Sequence, residues 1–260
     1  MKGIIQKISF IGSGNVATHL AKAFAQKGIV VRQIYSQTCD HSEVLAWQSN
    51  SIYSCDLNEL DLDVDLLIFA VKDDVIKDLS KAILAKKPDI KVVHTSGSVG
   101  LDVFEGAKNA GIFYPLQSFS KTKKIDISQV PFLITSDNAE FKRELLSLAK
   151  VLSDKVYEYT DEQRKHLHIA AVFVNNFTNH LFYLAKKHLD ENQIDWKLLQ
   201  PLMQETFHKL EEKSPFEAQT GPAKRKDFQT IQAHENMLQG KTLEIYKLLT
   251  KSIMDTYKNQ

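Results

Sequence analysis

The sequence lacks the features that mark a metalloprotein, a membrane protein or a nucleic-acid-binding protein. Its two cysteines, Cys39 and Cys55, form neither a CxxC pair nor a zinc-type cluster, and its nine histidines show no HExxH spacing. They cannot make a disulfide framework either, which suits a reducing compartment. The 33 basic and 32 acidic residues nearly cancel, so no strong field attracts nucleic acid or an anionic membrane. No apolar run approaches the roughly 18 residues that cross a bilayer, and the N-terminal segment lacks the apolar core and cleavage site of a signal peptide. We therefore expect a cytoplasmic protein without metal, nucleic-acid partner or membrane segment.

Two kinds of pattern divide the chain at about Thr160. Before it, short apolar runs such as 7–12 alternate with stretches at helical spacing such as 15–27, and this alternation predicts a doubly wound parallel sheet covered on both faces. After it, only helical patterns follow, and a capping box of Thr160 and Gln163 starts the first of them. We predict an α/β fold with a doubly wound sheet domain at 1–159 and an all-helical domain at 160–260.

Three local expectations follow from the same patterns. A long helical pattern should begin after Thr160 and run to about His188. Pro201 should kink or split a helix over about 195–213, because proline removes a backbone donor. Residues 100–111 should form a short helix before the next strand.

A glycine-rich turn lies between the first predicted strand and helix. In the pattern Gly12-x-Gly14-x-x-Ala17, the first glycine permits a tight turn and the second lets the backbone approach a pyrophosphate. The alanine allows the helix to pack closely on the strand. The pyrophosphate would sit on free N–H groups at the helix start. The alternative is a tight turn without a ligand. We predict a dinucleotide site whose first contacts are Gly12, Ser13, Gly14, Asn15 and Val16.

The end of the second strand bears on the choice between NAD and NADP. An acidic residue normally stands there to bind the ribose 2′-hydroxyl of NAD, whereas this chain has Ser36, Gln37 and Thr38. These side chains do not repel a 2′-phosphate and can donate hydrogen bonds to it. The sequence therefore favours NADP, with NAD possible, unless these residues only cap the strand.

Two later loops fall at the same predicted edge of the sheet. Their small residues would let a flat nicotinamide or a ribose pass close to the backbone, although ordinary turn chemistry explains them equally well. The small residues are Ala70, Ser96 and Gly97, and Val71 and Lys72 beside them are also predicted to contact the cofactor. Farther on, Gln117 follows Pro115 and could present an amide to a ligand.

The first helix of the second half carries polar side chains among apolar ones. At 100° per residue, His168, Asn175 and Asn179 form one stripe, and Asn176 lies within about 80° of His168. Buried polar groups without partners cost on the order of 1–3 kcal/mol each. A polar ligand would supply those partners, and so would neighbouring backbone. Downstream, the loop around Arg225 could attract a carboxylate or phosphate, or be a solvated linker.

Together these motifs resemble a family of Rossmann-like NADP oxidoreductases with a C-terminal domain of unknown function (DUF2520). This family is related to 6-phosphogluconate dehydrogenase, pyrroline-5-carboxylate reductase and the deazaflavin-dependent NADP reductases. The matching segments are 11–17, 35–38, 94–98, 114–120, 167–176 and 220–227. The chain departs from the family in three places. Tyr114 replaces a usual histidine, Gln37 replaces a usual arginine, and Lys226 replaces a usual glycine.

The resemblance implies a function as well as a fold. It implies that a small-molecule substrate is reduced or oxidised through NADP, that His168 and Asn176 act at the catalytic site, and that a homodimer forms through the helical domain. Within that scheme His168 would exchange a proton, Asn176 would orient the substrate, and Gln117 and Arg225 would bind its polar end. Two alternatives stay open: an NADP-binding or sensing protein without turnover, and a reductase whose redox partner is a flavin or deazaflavin.

Overall fold

A computed structural model describes residues 5–258. Its centre is one sheet of eight strands in the order β3-β2-β1-β4-β5-β6-β7-β8. The strands are β1 (Lys7–Ile11), β2 (Val30–Tyr35), β3 (Ile52–Ser54), β4 (Leu66–Phe69), β5 (Val92–His94), β6 (Ala110–Pro115), β7 (Phe132–Thr135) and β8 (Val156–Glu158). The first six follow the order of dinucleotide-binding folds. The predicted α/β fold is confirmed, with one difference: β7 pairs antiparallel with β6, and β8 runs parallel to β7.

Helices cover both faces of this sheet. Those joining its strands are α1 (Asn15–Gln26), α2 (Cys39–Ser49), α3 (Ile76–Lys86) and α4 (Ala139–Leu152). The side chains of β4 explain the two-sided cover, because successive residues of a strand point to opposite faces. Leu66 and Ile68 pack into one core with α1 and α4, whereas Leu67 and Phe69 pack into another with α3.

The C-terminal part is helical, as predicted. Its elements are α5 (Asp161–Ala171), α6 (Thr178–Glu191), α7 (Gln200–Glu212), α8 (Pro215–Ala218), α9 (Pro222–Arg225), α10 (Phe228–Met237) and α11 (Gly240–Thr256). The capping box at Thr160 is present. The long helical pattern predicted to about His188 is confirmed, although a π-helical segment, Val172–Phe177, separates α5 from α6. Of the two outcomes expected at Pro201, the split is confirmed and the kink is wrong: a 3₁₀ turn, Trp196–Leu199, precedes α7, and the proline lies in the first turn of α7, where its missing N–H costs nothing.

The chain divides into two compact units, Met1–Asn176 and Phe177–Gln260. The division predicted at 159/160 follows the change from mixed to helical pattern, but α5 groups with the sheet. The reason is Arg164 of α5, which is fully buried and donates to the carbonyl oxygens of Ser96 and Val99 in the loop after β5. A charged side chain thus attaches the helix to the first unit.

Three other features depart from the sequence analysis. The strand β3 was not predicted. Residues 100–111 contain a single 3₁₀ turn, Leu101–Phe104, instead of a helix. Cys39 and Cys55 form a disulfide with their Cα atoms 5.4 Å apart, so the cysteine argument for a reducing compartment no longer holds.

Between residues 5 and 258 we find no helix that is long and apolar enough to span a membrane. The same residues contain no group of three or more His, Cys, Asp or Glu placed to hold a metal ion.

Candidate cofactor and substrate site

Gly12 occupies a position that excludes every other residue. Its φ is +111°, and its N–H donates to the carbonyl oxygen of Tyr35 at 2.7 Å. A Cβ added there would lie 2.4 Å from the carbonyl oxygen of Ala70. Glycine is therefore required at this crossing of three strand ends, whatever binds above it.

Gly14 differs, because the fold itself does not require a glycine there. It caps α1 with φ −74°, and no side chain caps this helix end. Among the described residues, the nearest atom to an added Cβ would be the oxygen of Ala70 at 3.9 Å. Gly14 and Asn15 are exposed, whereas Ala17 is fully buried under them. The helix start is open to a ligand, and its unsatisfied N–H groups suit a phosphate.

The tip after β2 is an exposed turn. Ser36 donates its N–H to the carbonyl oxygen of Ser54 at 3.2 Å, and Thr38 donates its own to the Ser36 hydroxyl at 3.4 Å. Arg32, the basic residue of β2, instead pairs with Asp61 at 2.6 Å. The turn that we predicted to bind the 2′-phosphate of NADP therefore offers hydroxyl and amide groups.

The two loops predicted to contact the cofactor are bonded to each other. The Ser98 hydroxyl donates to the carboxylate of Asp73, which follows exposed Lys72. The Ser96 hydroxyl accepts the N–H groups of Ser98 and Val99, each at 3.1 Å. The short polar residues of these loops thus fix the loop shape, a role that the sequence pattern could not separate from ligand binding.

His94 supports the second loop from below. The N–H of Ser96 donates to its Nδ1 at 3.2 Å, so the proton lies on Nε2, which donates to the carbonyl oxygen of Gly100 at 3.3 Å. Burial lowers the pKa of His94 to about 4, so the ring is neutral at physiological pH. Sequence analysis assigned this histidine no role of its own.

Arg164 fastens the same loop from the other side. Besides its bonds to Ser96 and Val99, its guanidinium pairs with Asp161 at 2.6 Å. Its Nε has no hydrogen-bond partner among the described residues. Sequence reasoning missed Arg164, because a charged residue within a helix is usually exposed.

A cavity of about 520 Å³ opens beside this loop, within the first compact unit. The end of β6, the turn after it, α5 and the π-helical segment line it. The lining residues are Tyr114, Leu116, Gln117, Ser118, Leu167, His168, Ala170, Ala171, Val172, Val174, Asn175 and Asn176. Three predicted site residues, His168, Asn176 and Gln117, therefore meet in one cavity. The lining carries no lysine, arginine or carboxylate among the described residues.

His168 lies between Tyr114 and Gly97. Its Nδ1 is 3.0 Å from the Tyr114 hydroxyl, and the two rings meet edge to face. A Cβ on Gly97 would come 2.2 Å from the same Nδ1. The small size of Gly97, which we took as a sign of cofactor approach, makes room for the His168 ring.

The π-helical segment brings two amides to the cavity. A π-helix takes more residues per turn than an α-helix, so the stripe drawn at 100° per residue does not apply beyond Ala171. Asn175 and Asn176 both line the cavity with His168. Arg225, the remaining predicted substrate contact, is exposed at the end of α9 in the second compact unit.

Comparisons with known proteins agree with this architecture. Residues 130–253 match the family profile described as a domain of unknown function (DUF2520), and residues 7–95 match that of the NADP oxidoreductases described as coenzyme F420-dependent. A Bacteroides fragilis protein with the provisional description NADP oxidoreductase is 39% identical, with a TM-score of 0.91, over 96% of this chain and 98% of that one. The chain belongs to this family of NADP oxidoreductases, as its motifs predicted.

Two more distant structures share the fold. A Thermotoga maritima protein is 21% identical with a TM-score of 0.72, over 96% of this chain and 98% of that one. An imine reductase from Myxococcus stipitatus, in complex with NADP+, is 14% identical with a TM-score of 0.69, over 97% and 93%. A comparison with curated proteins gives no significant match.

Proposed function

We propose that this protein transfers hydride between NADP and a small carbonyl or imine compound. The observation that supports the proposal is the cavity lined by His168, Asn175 and Asn176, which lies beside the loop that follows β5. In doubly wound folds, ligands bind outside the carboxyl ends of the strands. A titratable ring and orienting amides at that edge suit a reaction that moves a proton together with a hydride.

Residues at the carboxyl edge of the sheet would contact different parts of the cofactor. Gly12, Ser13, Gly14, Asn15 and Val16 would hold the pyrophosphate at the open start of α1. Ser36, Gln37 and Thr38 would donate to the 2′-phosphate, and the loops at 70–72 and 96–97 would flank the nicotinamide riboside. Bound NADP supplies the hydride chemistry. The open space over Gly14 supports this assignment, since the packing of the chain leaves that space unfilled.

His168 is the residue that we assign to proton transfer, because an imidazole changes its charge near neutral pH. Asn176 would orient the substrate, and Gln117, which lines the same cavity, would bind its polar end. The cavity favours a substrate that is uncharged around its reacting bond, since the side chains lining it carry no full charge other than a protonated His168. The likeness to an imine reductase supports C=N compounds alongside C=O compounds.

Calorimetry with NADPH and NADH, followed by NADPH oxidation with a panel of cyclic imines and ketones, tests the proposal. We expect tighter binding of NADPH, and His168→Ala should lower kcat by at least 100-fold while the Kd of NADPH stays within twofold. His166→Ala is the matched control, because His166 lies on the same helix with an exposed side chain. Binding without turnover across the panel would favour a sensing protein. Turnover only with an added deazaflavin would favour the F420-linked alternative that the profile over 7–95 suggests.

We also propose that the helical domain forms a homodimer. The second compact unit buries few apolar side chains. Among its described residues, the buried hydrophobic ones are Ala223, Ile231 and Tyr257. Large apolar side chains along α6, α7 and α11 are instead exposed, among them Leu181, Leu202 and Leu248. Apolar surface of this extent favours association. Sedimentation equilibrium at micromolar concentration should give a mass near 60 kDa, twice the 29.6 kDa of the chain, and a monomer would contradict the proposal.

A further inference from the structure

We propose that Tyr114 is a positioning residue for proton transfer, which holds His168 so that its Nε2 faces the reacting atom. This inference rests on the function proposed above, because it assigns a partner to the residue that moves the proton. Tyr114 is the penultimate residue of β6, is 9% exposed and packs with Ile112 and Leu133 of the sheet. A strand end buried in this way fixes the position of the ring, and with it the position of the hydroxyl.

The contact with Nδ1 is suited to both protonation states of the imidazole. Burial raises the pKa of the Tyr114 hydroxyl above its ordinary value, so the hydroxyl keeps its proton at neutral pH. It then donates to Nδ1 of a neutral His168, and the ring proton lies on Nε2. When the ring is protonated, Nδ1–H donates to the same phenolic oxygen. One hydroxyl therefore holds the ring in place before and after the proton moves.

Gly97 holds the ring from the other side. Because an added Cβ would lie 2.2 Å from Nδ1 of His168 and 2.8 Å from Cζ of Tyr114, both rings rest against the bare backbone of this glycine. Nδ1 is thus enclosed between a hydroxyl and a main chain. Nε2 is left as the nitrogen that can exchange a proton with a substrate in the cavity.

The proton balance of an imine reduction follows from this arrangement. Bound NADPH would supply the hydride and would become NADP+; as the new C–H bond forms, the electron pair of the C=N bond would move to nitrogen. That nitrogen takes the proton from Nε2 of the His168 imidazolium, and the ring becomes neutral. Nδ1–H continues to donate to Tyr114 during the transfer, so Tyr114 neither gains nor loses a proton, and solvent returns a proton to Nε2 afterwards.

Other titratable groups lie near Tyr114 and His168, and their charges also bear on the pH dependence of kcat. Arg164 and Asp161 of α5 pair with each other, and His94 beneath the loop has a pKa of about 4, below the range of the assay. Asp73 accepts from Ser98, and Tyr159 packs against the same cluster as Tyr114. The pH profiles of the natural chain and of Tyr114→Phe are therefore compared, because these other groups are the same in both proteins.

The test is Tyr114→Phe, which removes the hydroxyl and keeps the ring. Hydrogen bonds to charged groups are stronger than neutral ones by about 1 kcal/mol, so the loss disfavours the imidazolium more than the neutral ring. We expect the apparent pKa of kcat to fall by about 0.7 pH unit and kcat at pH 7 to fall up to about fivefold, with the Kd of NADPH unchanged. Tyr159→Phe, which removes a hydroxyl from the same cluster, should leave the profile unchanged.

A second readout does not depend on turnover. In 15N-histidine-labelled protein, long-range NMR correlations should place the proton of neutral His168 on Nε2, and Tyr114→Phe should give a tautomer mixture and a lower titration midpoint. An unchanged pH profile together with an unchanged tautomer in Tyr114→Phe overturns the inference about Tyr114. If His168→Ala keeps full activity, the proposed function of His168 fails instead, and the NMR tautomer still decides whether Tyr114 holds the ring.

Discussion

Acid should destabilise this protein through His94. The side chain is fully buried beneath the loop at 95–100, where burial lowers its pKa from 6.5 to about 4. The folded chain therefore binds fewer protons than the unfolded chain between these two pH values. The contribution of His94 to stability is complete above about pH 6.5 and is lost as the pH falls toward 4.

The size of the effect follows from the two pKa values. A difference of about 2.5 pH units is equivalent to about 3 kcal/mol once the pH is below 4. At about pH 5 the loss should already reach about 2 kcal/mol, a large part of a typical folding free energy. Urea unfolding at pH 8 and at pH 5, followed by circular dichroism, measures it directly.

The variant His94→Asn isolates this contribution. It loses the bond to Gly100 and should be less stable than the natural chain at pH 8. However, its stability should fall about 2 kcal/mol less between pH 8 and pH 5, because asparagine does not titrate in this range. His41→Asn, at an exposed histidine, should keep the pH dependence of the natural chain. Equal slopes for the natural chain and His94→Asn would refute the reasoning.

Two further predictions concern stability. Lys226 has φ +57°, a left-handed conformation that costs a residue with a side chain about 1 kcal/mol; Lys226→Gly should therefore raise the free energy of unfolding by about 0.5–1 kcal/mol, whereas Lys226→Ala should not. The disulfide closes a loop between Cys39 and Cys55, 16 positions apart, so reduction should lower the free energy of unfolding by about 3 kcal/mol. The Cys39→Ser/Cys55→Ser double variant should not respond to the reductant, and two free thiols in the purified native protein would contradict the pairing.

The sequence was sufficient for most of the sheet and for the glycine turn. Strands such as β4 are short apolar runs between polar segments, and the apolar residues of the helices recur about every 3.6 residues. The order of strands and helices can therefore be predicted from the sequence. The turn at Gly12 could be predicted because its requirements are local: a strand, a positive φ and a helix start. The short strand β3 was missed, since its three residues carry little periodic signal.

The cavity around His168 depends on contacts between residues that are distant in sequence. Arg164 and Ser96 lie 68 positions apart, and Tyr114 and His168 lie 54 apart. No local pattern predicts such pairs, which arise only once the sheet brings the strand ends to one edge. The π-helical segment could not be predicted either, because its sequence fits a continuous helix. This segment brings both Asn175 and Asn176 to the cavity.

Gly97 shows how the two sides of the site depend on each other. The only place for a side chain at this position is occupied by the rings of His168 and Tyr114. A cofactor approaching the loop can therefore meet Gly97 only through its backbone. The loop that presents this backbone is fixed by neutral His94 on one side and by the Arg164 guanidinium on the other. Two buried side chains, neither of which lines the cavity, thus fix the loop backbone against which the His168 ring lies. Such pre-organisation is what a hydride and proton transfer requires of a scaffold.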